Sequence, residues 1–253
     1  MNGFTVFARK EAHEILRTWR VWVLPGILLL FAVTGPVVTK FTPEIVGAVA
    51  GNQLGGFTLP TPTYFDSYAS WIKNLSQIAL FALIIIYGSI VSAETKSGTA
   101  VLVLTKPVSR TAFVIAKAAV HSVFLAVLVV VGTLLTWGLT AAVFGKAPGS
   151  ALWSSALVWL VLGVLFVALM VLLSVLIASA AGAAGAGLGA YALVSIASIW
   201  KPLATYSPAG LAVQPASLAS GKDAAVLWPV LTSLLLTVAL VALAAQMFRH
   251  KDL

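Results

Sequence analysis

Between Lys146 and Lys201 the chain carries no charged residue, a run of 54 positions (147–200). One helix needs about 20 predominantly apolar residues to cross a bilayer. The run is too long for one crossing and suits two joined by a tight turn, placed at 179–182, where the small residues SAAG cluster. The rest of the chain agrees: 60% of its residues are apolar and 9% charged, against about a quarter charged in soluble domains. The chain is an integral membrane protein.

Six apolar runs are long enough to span, at about 21–39, 75–92, 118–144, 152–178, 183–200 and 226–248. In the first, Pro25 falls in the opening turn, where its missing N–H does little harm, and Pro36 near the end, where a kink or stop is expected. Residues 40–73, with Pro43, Pro60 and Pro62, form an outer segment. Within it Tyr64, Tyr68 and Trp71 at four- and three-residue spacings predict a short helix anchored at the outer interface. Residues 145–150 make a short outer turn, and 201–225, with Pro202, Pro208 and Pro215, a second outer segment. The fold class is an all-α membrane protein: one domain over 1–253, six transmembrane helices, both termini cytoplasmic.

Ahead of the first span, residues 3–20 read as an amphipathic interfacial helix. Phe4, Phe7, Ala8, Ala12, Ile15 and Trp19 fall on one face, and Arg9, Lys10, His13, Arg17 and Arg20 opposite. Such a helix lies among lipid headgroups. Glu11 falls near the apolar face, and the simplest reading has it reaching out to water. The basic residues before the first span, with no small-residue cleavage site after it, argue for retention of that span rather than a cleaved signal.

Residues 94–117, ETKSGTAVLVLTKPVSRTAFVIAK, interrupt the apolar pattern with Glu94, Lys96, Lys106, Arg110 and Lys117. Charges near the bilayer centre are costly, so this segment belongs in water, and its basic excess places it on the cytoplasmic face. With the termini inside, ten of the fifteen Lys and Arg are cytoplasmic: four in 3–20, four in 94–117 and two after the last span. The net charge of +8 therefore records membrane topology, not an affinity for nucleic acid.

Several chemistries lack their residues. There is no cysteine, hence no disulfide and no thiolate ligand. No HExxH, no buried aspartate pair and no GxSxG elbow is present. His121 is the one ionisable group well inside a span and reads as a packing or bonding residue one turn beyond Lys117. That scarcity argues against an ion-coupled carrier. Gly185 and Gly189 form a GxxxG pair in the fifth span, read first as intrachain packing. No GxxxxGK[ST] motif occurs, so any ATP must be bound by another polypeptide.

Three features resemble the type-2 exporter class of ATP-binding-cassette (ABC) permeases. ARKEAHEILRTWR (8–20) is similar to that family's connecting helix, with Lys10 and Glu11 at its lysine-glutamate pair and Arg17 on the basic face. A glutamate closing span two, then Gly98 and Thr99, an apolar stretch and KPVSR (106–110) resemble its central pattern; the six-span hydropathy agrees. The resemblance implies that 94–117 holds a coupling helix docking on an ATP-binding subunit through Glu94, Gly98, Thr99, Val101, Leu102, Leu104, Lys106, Pro107 and Arg110. From the residues themselves, Gly98 permits a turn, 99–105 form a short helix ended by Pro107, Ser109 caps the next helix, and Arg110 and Lys117 are placed to pair with Glu94 or with acids on a partner.

The function so implied is a non-enzymatic permease subunit of an exporter in the cell (plasma or inner) membrane. It would bind no cofactor itself, ATP and magnesium being held by two ATPase subunits. A second permease copy or relative and membrane lipid would be the other partners, and the substrate hydrophobic or amphipathic (drug, antibiotic, lipid or peptide). The alternatives are a non-transporting membrane assembly or sensing component and, less well supported, an ion-coupled carrier.

Overall fold

The computed structural model describes residues 3–18, 20–50, 60–99 and 109–251. Helix α1 (Gly3–Arg17) precedes α2 (Arg20–Ala50). After the undescribed 51–59, α3 (Tyr64–Asn74) passes through one π-helical turn (Leu75–Ala79) into α4 (Leu80–Tyr87), and a turn leads to the short α5 (Ser92–Lys96). Beyond 100–108, α6 (Arg110–Phe144), α7 (Gly149–Leu176) and α8 (Ala180–Ala197) follow. Then come α9 (Lys201–Tyr206), a 3-10 turn (Pro208–Ala212), α10 (Gln214–Ala219) and α11 (Leu227–Arg249). No strand occurs among the described residues. Six helical stretches are long and apolar enough to cross a membrane: Trp22–Val49, Tyr64–Lys96, Arg110–Phe144, Gly149–Leu176, Ala180–Ala197 and Leu227–Arg249.

Local signals set the helix ends. Ser109 accepts a hydrogen bond from the Ala112 N–H at 3.1 Å and starts α6, and Gly145, with φ of 74°, ends it in the left-handed conformation a side chain would resist. Ser179 accepts from the Gly182 N–H and starts α8. The turn between α7 and α8 thus falls at 177–179, just ahead of the predicted place. At the other end of the bundle the Asp66 carboxylate accepts from both the N–H and the hydroxyl of Thr63, opening α3.

The first span does not stop near Pro36. α2 runs on through Pro36 and Pro43 to Ala50. A proline removes one helical hydrogen bond, but unwinding a helix in lipid strands several backbone groups, each at several kcal/mol, so continuing is the lesser cost.

α7 is the central helix and the most enclosed of the six, packed by α3, α4, α6, α8, α10 and α11; α8 and α11 are the least enclosed. Tyr68 and Trp71, expected at the outer interface, are instead fully buried. Trp71 lies against Gly132, where an added methyl would fall 2.5 Å from the indole, and its Nε1–H donates to Thr133 Oγ1 at 3.2 Å. The Tyr68 hydroxyl donates to the Pro148 carbonyl. Both rings face neighbours that give their polar atoms a partner, which the aromatic spacing alone could not distinguish from an interfacial belt.

The glycines of α8 also differ from expectation. Gly187 makes the close approach, with an added methyl 2.5 Å from Met170 Sδ, while nothing lies within 4 Å of one at Gly185 or Gly189. The GxxxG pair faces away from the other described residues of its own chain.

Contacts sort the connections to two ends. α1, α5, the start of α6, the α7–α8 turn and the end of α11 share one end: Arg110 reaches the carbonyls of Arg249 and Lys251, Lys251 Nζ reaches the Val175 carbonyl, and Ser174 reaches Val91. The start of α3 and the α6–α7 turn share the other.

Candidate functional site

α1 turns one stripe, Phe7, Glu11 and Ile15, into the protein; all three are buried. Phe7 stacks on Phe113 at a centroid distance of 4.8 Å, and Phe113 stacks on Phe248 at 5.0 Å. The contacts of α1 climb α6 in step, Phe7 at Phe113 and Glu11 at Lys117 and His121, so the two helices run side by side in the same sense. At 35 residues and about 1.5 Å per residue, α6 is some 52 Å long against a hydrocarbon core of about 30 Å. It has turns to spare for this contact.

Glu11 does not reach water. Its Oε2 accepts from Lys117 Nζ at 2.9 Å and its Oε1 from Lys10 Nζ at 3.0 Å, and the residue is 1% exposed. The reason is geometric: Glu11 lies between Phe7 and Ile15 on the buried stripe, and a buried carboxylate must be paired. Glu94, from α5, accepts at Oε1 from the same two lysines, Lys117 at 2.7 Å and Lys10 at 3.1 Å. Glu14 Oε2 adds a third bond to Lys10 at 2.5 Å. His121 Nε2 lies 3.8 Å from Glu11 Oε2, and its Nδ1 is 3.1 Å from the Tyr87 hydroxyl. Three carboxylates, two ammoniums, an imidazole and a phenol thus join α1, α4, α5 and α6. Glu94 Oε2 has no hydrogen-bond partner among the described residues.

Burial alone would push the Glu11 carboxyl up, but the His121 ring and the Lys117 and Lys10 ammoniums outweigh it and hold Glu11 well below the usual carboxylate range. Burial alone would lower Lys10; its bond to Glu14 and the charges of Glu11 and Glu94 raise it above an ordinary lysine. The carboxylate oxygens of Glu11, Glu14 and Glu94 come within 4.8 Å of one another, a spacing that could hold a metal ion. Lys10 Nζ stands within 3.1 Å of all three residues and supplies the positive charge there.

Beyond Glu94 the chain folds back on it. Gly98 has φ of 71°, and the hydroxyls of Ser97 and Thr99 both donate to the Glu94 carbonyl. Val101, Leu102, Leu104, Lys106 and Pro107, with the short helix expected at 99–105, lie largely outside the described residues. Lys117 pairs with Glu94, but Arg110 does not. Its guanidinium donates to the carbonyls of Arg249 and Lys251, capping the carbonyl end of α11. Arg17 is exposed in the last turn of α1. Sequence reasoning passed over Glu14, Tyr87 and Ser174. Glu14 had a signal, its four-residue spacing from Lys10. Ser174, whose hydroxyl accepts from the N–H groups of Val91 and Ser92 and fastens the α4–α5 turn to α7, had none.

Residues 55–253 match the model of a family described as Protein of unknown function (DUF2705). The chain belongs to the DUF2705 family. The matched region takes in Tyr87, Glu94, Lys117 and His121, while Lys10, Glu11 and Glu14 precede it. The chain is also 34% identical over 137 residues to the probable ABC transporter permease protein NosY of Stutzerimonas stutzeri, and 32% identical over 130 residues to NosY of Pseudomonas aeruginosa. These alignments cover 52% and 49% of this chain. The chain spans less than half the length of these curated relatives, 43% and 41%. The matches support an ABC transporter permease, and the six apolar helices support a multi-pass membrane protein.

Proposed function

We propose that this DUF2705 chain is the transmembrane permease subunit of an ABC exporter of the type-2 class. Its α1 end faces the cytoplasm of the cell membrane. Residues 94–117 dock on a separate ATP-binding subunit that holds ATP and magnesium, two such subunits serve two permease protomers, and a hydrophobic or amphipathic substrate moves outward. The observation that carries the reading is the buried ion cluster, together with the likeness to ABC permeases. The segment emerging between Glu94 and Lys117 is closed at its base by the ion pair of those two residues, and Lys117 also bonds Glu11, so a push on it moves α5, α6 and, through Glu11, α1 as one body. Bonds between desolvated charges resist shear better than the apolar contacts that dominate the rest of the bundle.

Affinity purification of the tagged chain from its native membranes tests this. A subunit with a Walker A motif is expected to co-purify with the wild type and to be lost from Leu102→Asp and Leu104→Asp, both of which should retain wild-type helix content. Purification with no ATP-binding subunit would favour a non-transporting assembly or sensing component, and unchanged recovery with the aspartate variants would remove the coupling role from 94–117.

A further inference from the structure

α1 has two faces besides the one that carries Glu11. Phe4, Ala8 and Ala12 line an apolar groove of about 420 Å³ against Ala119, Val123 and Phe124 of α6. Arg9 and His13 line a second cleft of about 620 Å³ that meets the first at Ala12 and Leu16. Arg9, His13 and Arg17 succeed one another at four-residue spacing, all exposed. No acidic side chain forms an ion pair with Arg9 or Arg17 among the described residues, whereas the neighbouring Lys10 is committed to Glu11, Glu14 and Glu94. An apolar groove thus opens beside Arg9 and Arg17, cations without an acidic partner among the described residues, on a helix alongside a membrane span.

We propose that this composite site holds one anionic phospholipid, an acyl chain lying in the α1–α6 groove and the phosphate headgroup on Arg9 and Arg17. Charge complementarity selects the occupant. An apolar peptide would leave the guanidiniums unanswered, and a zwitterionic lipid brings a cationic headgroup group to a row that is already positive. Arg9 and Arg17 stand on the same helix as Glu11, so the bound lipid braces α1 against α6 from the side opposite the ion cluster. This inference rests on membrane insertion alone and not on the transport reading.

The test is native mass spectrometry of the full chain in detergent, titrated with dioleoyl-phosphatidylglycerol and with dioleoyl-phosphatidylcholine. The wild type is expected to retain phosphatidylglycerol in preference. Each basic residue near an anionic headgroup contributes about a factor of five, so Arg9→Ala with Arg17→Ala should cut the preference roughly thirtyfold. Arg9→Lys with Arg17→Lys should keep most of it. Val123→Trp, filling the groove, should weaken retention of phosphatidylglycerol while helix content is unchanged. Equal retention of the two lipids by the wild type, an undiminished preference in the double alanine variant, or full retention by Val123→Trp would overturn the proposal. Both arginines are exposed and make no ion pair among the described residues, so the alanine variants should fold.

Discussion

Lys117→Met is the substitution that most directly asks whether the ion cluster holds α1 in place. Lys117 is 1% exposed, and its ammonium bonds Glu11 at 2.9 Å and Glu94 at 2.7 Å. Methionine keeps the stem beside the stacked Phe7 and Phe113 rings, whose centroids lie 5.9 and 5.2 Å from the ammonium, but removes the charge. Glu11 would retain Lys10 and the nearby His121 ring, and Glu94, whose Oε2 already has no partner among the described residues, would lose its shortest bond. Deleting one member of a buried pair costs about 3–5 kcal/mol, because the other charge stays buried and uncompensated. For a chain of this size that corresponds to a fall in melting temperature of roughly 6–20 °C in detergent. The local readout is labelling. The chain has no cysteine, so Ile15→Cys, at a position 4% exposed on the buried stripe, should resist maleimide in the otherwise native chain and react readily in Lys117→Met. Adding Glu94→Gln to Lys117→Met should return part of the lost stability, with a coupling of about 0.5–3 kcal/mol in the double-mutant cycle. Glu14→Gln, at a partly exposed pair, should cost under about 1 kcal/mol. A loss below about 1 kcal/mol for Lys117→Met, with Ile15→Cys still protected, would refute the idea that these charges anchor α1.

The cluster's pH response follows from the direction of its shifts. Glu11 is held below its usual range, so its contribution is present above the unfolded carboxylate value of about 4.3 and lost as pH falls below that toward the lower folded value; Lys10, shifted up, contributes below about 10.4 and loses its share as pH rises further. Protection of Ile15→Cys in a full-length chain is therefore expected to be flat from about pH 5 to 9 and to fall only toward pH 3 or above pH 10; loss of protection near neutrality would contradict that assignment. In α8, Gly187→Leu should destabilise the monomer, since even a methyl there meets Met170 and Ile84, whereas a methyl at Gly185 meets nothing within 4 Å, so Gly185→Leu should leave the melting temperature within about 2 °C. If the open glycine face seats a second permease copy, Gly185→Leu should instead lower the dimer fraction in crosslinking; equal melting losses for the two variants would show the faces misassigned.

The membrane class, the six spans and the polar break at 94–117 were legible because each rests on a long run of one character, which a few substitutions cannot disguise. The charges of 94–117 marked that break, although Glu94 and Lys117 are buried and answer each other instead of reaching water, and Ser109 announced the start of α6 by its place after Pro107. What could not be read was which way a side chain faces in an apolar helix. Along α8 or α2 nearly every position is apolar, so periodicity cannot tell a lipid-facing residue from a buried one, and Gly185 looked as interior as Gly187. Tyr68 and Trp71 had the spacing of an interfacial belt and are buried, because their partners, Pro148, Gly132 and Thr133, lie at least 60 positions away. Glu11 was recognised as misplaced on its face, but the cations that answer it are Lys10, next in sequence, and Lys117, whose nearness depends on α1 running beside α6.

That dependence explains why a buried charge cluster is kept where a set of leucines would fill the space. Replacing a buried ion cluster with apolar residues of similar volume is often neutral or stabilising, so stability alone does not account for it. In a chain this apolar, α1 could slide along α6 by one turn and find an equally greasy surface. Phe7 on Phe113 is one contact that resists such a slip, yet stacked rings tolerate displacement over a range of offsets. Glu11 does not tolerate it. A shift of one turn, about 5.4 Å, would carry its carboxylate off Lys117, onto Phe113 in one direction or past it to His121 in the other, and would take Lys10 from Glu94, leaving Glu94 to Lys117 alone. The cluster therefore sets the register of α1 against α5 and α6, and it does so at the end of the bundle from which residues 100–108 depart. An element fixed in register moves with its neighbours instead of past them, which is the mechanical property a transmitting segment needs.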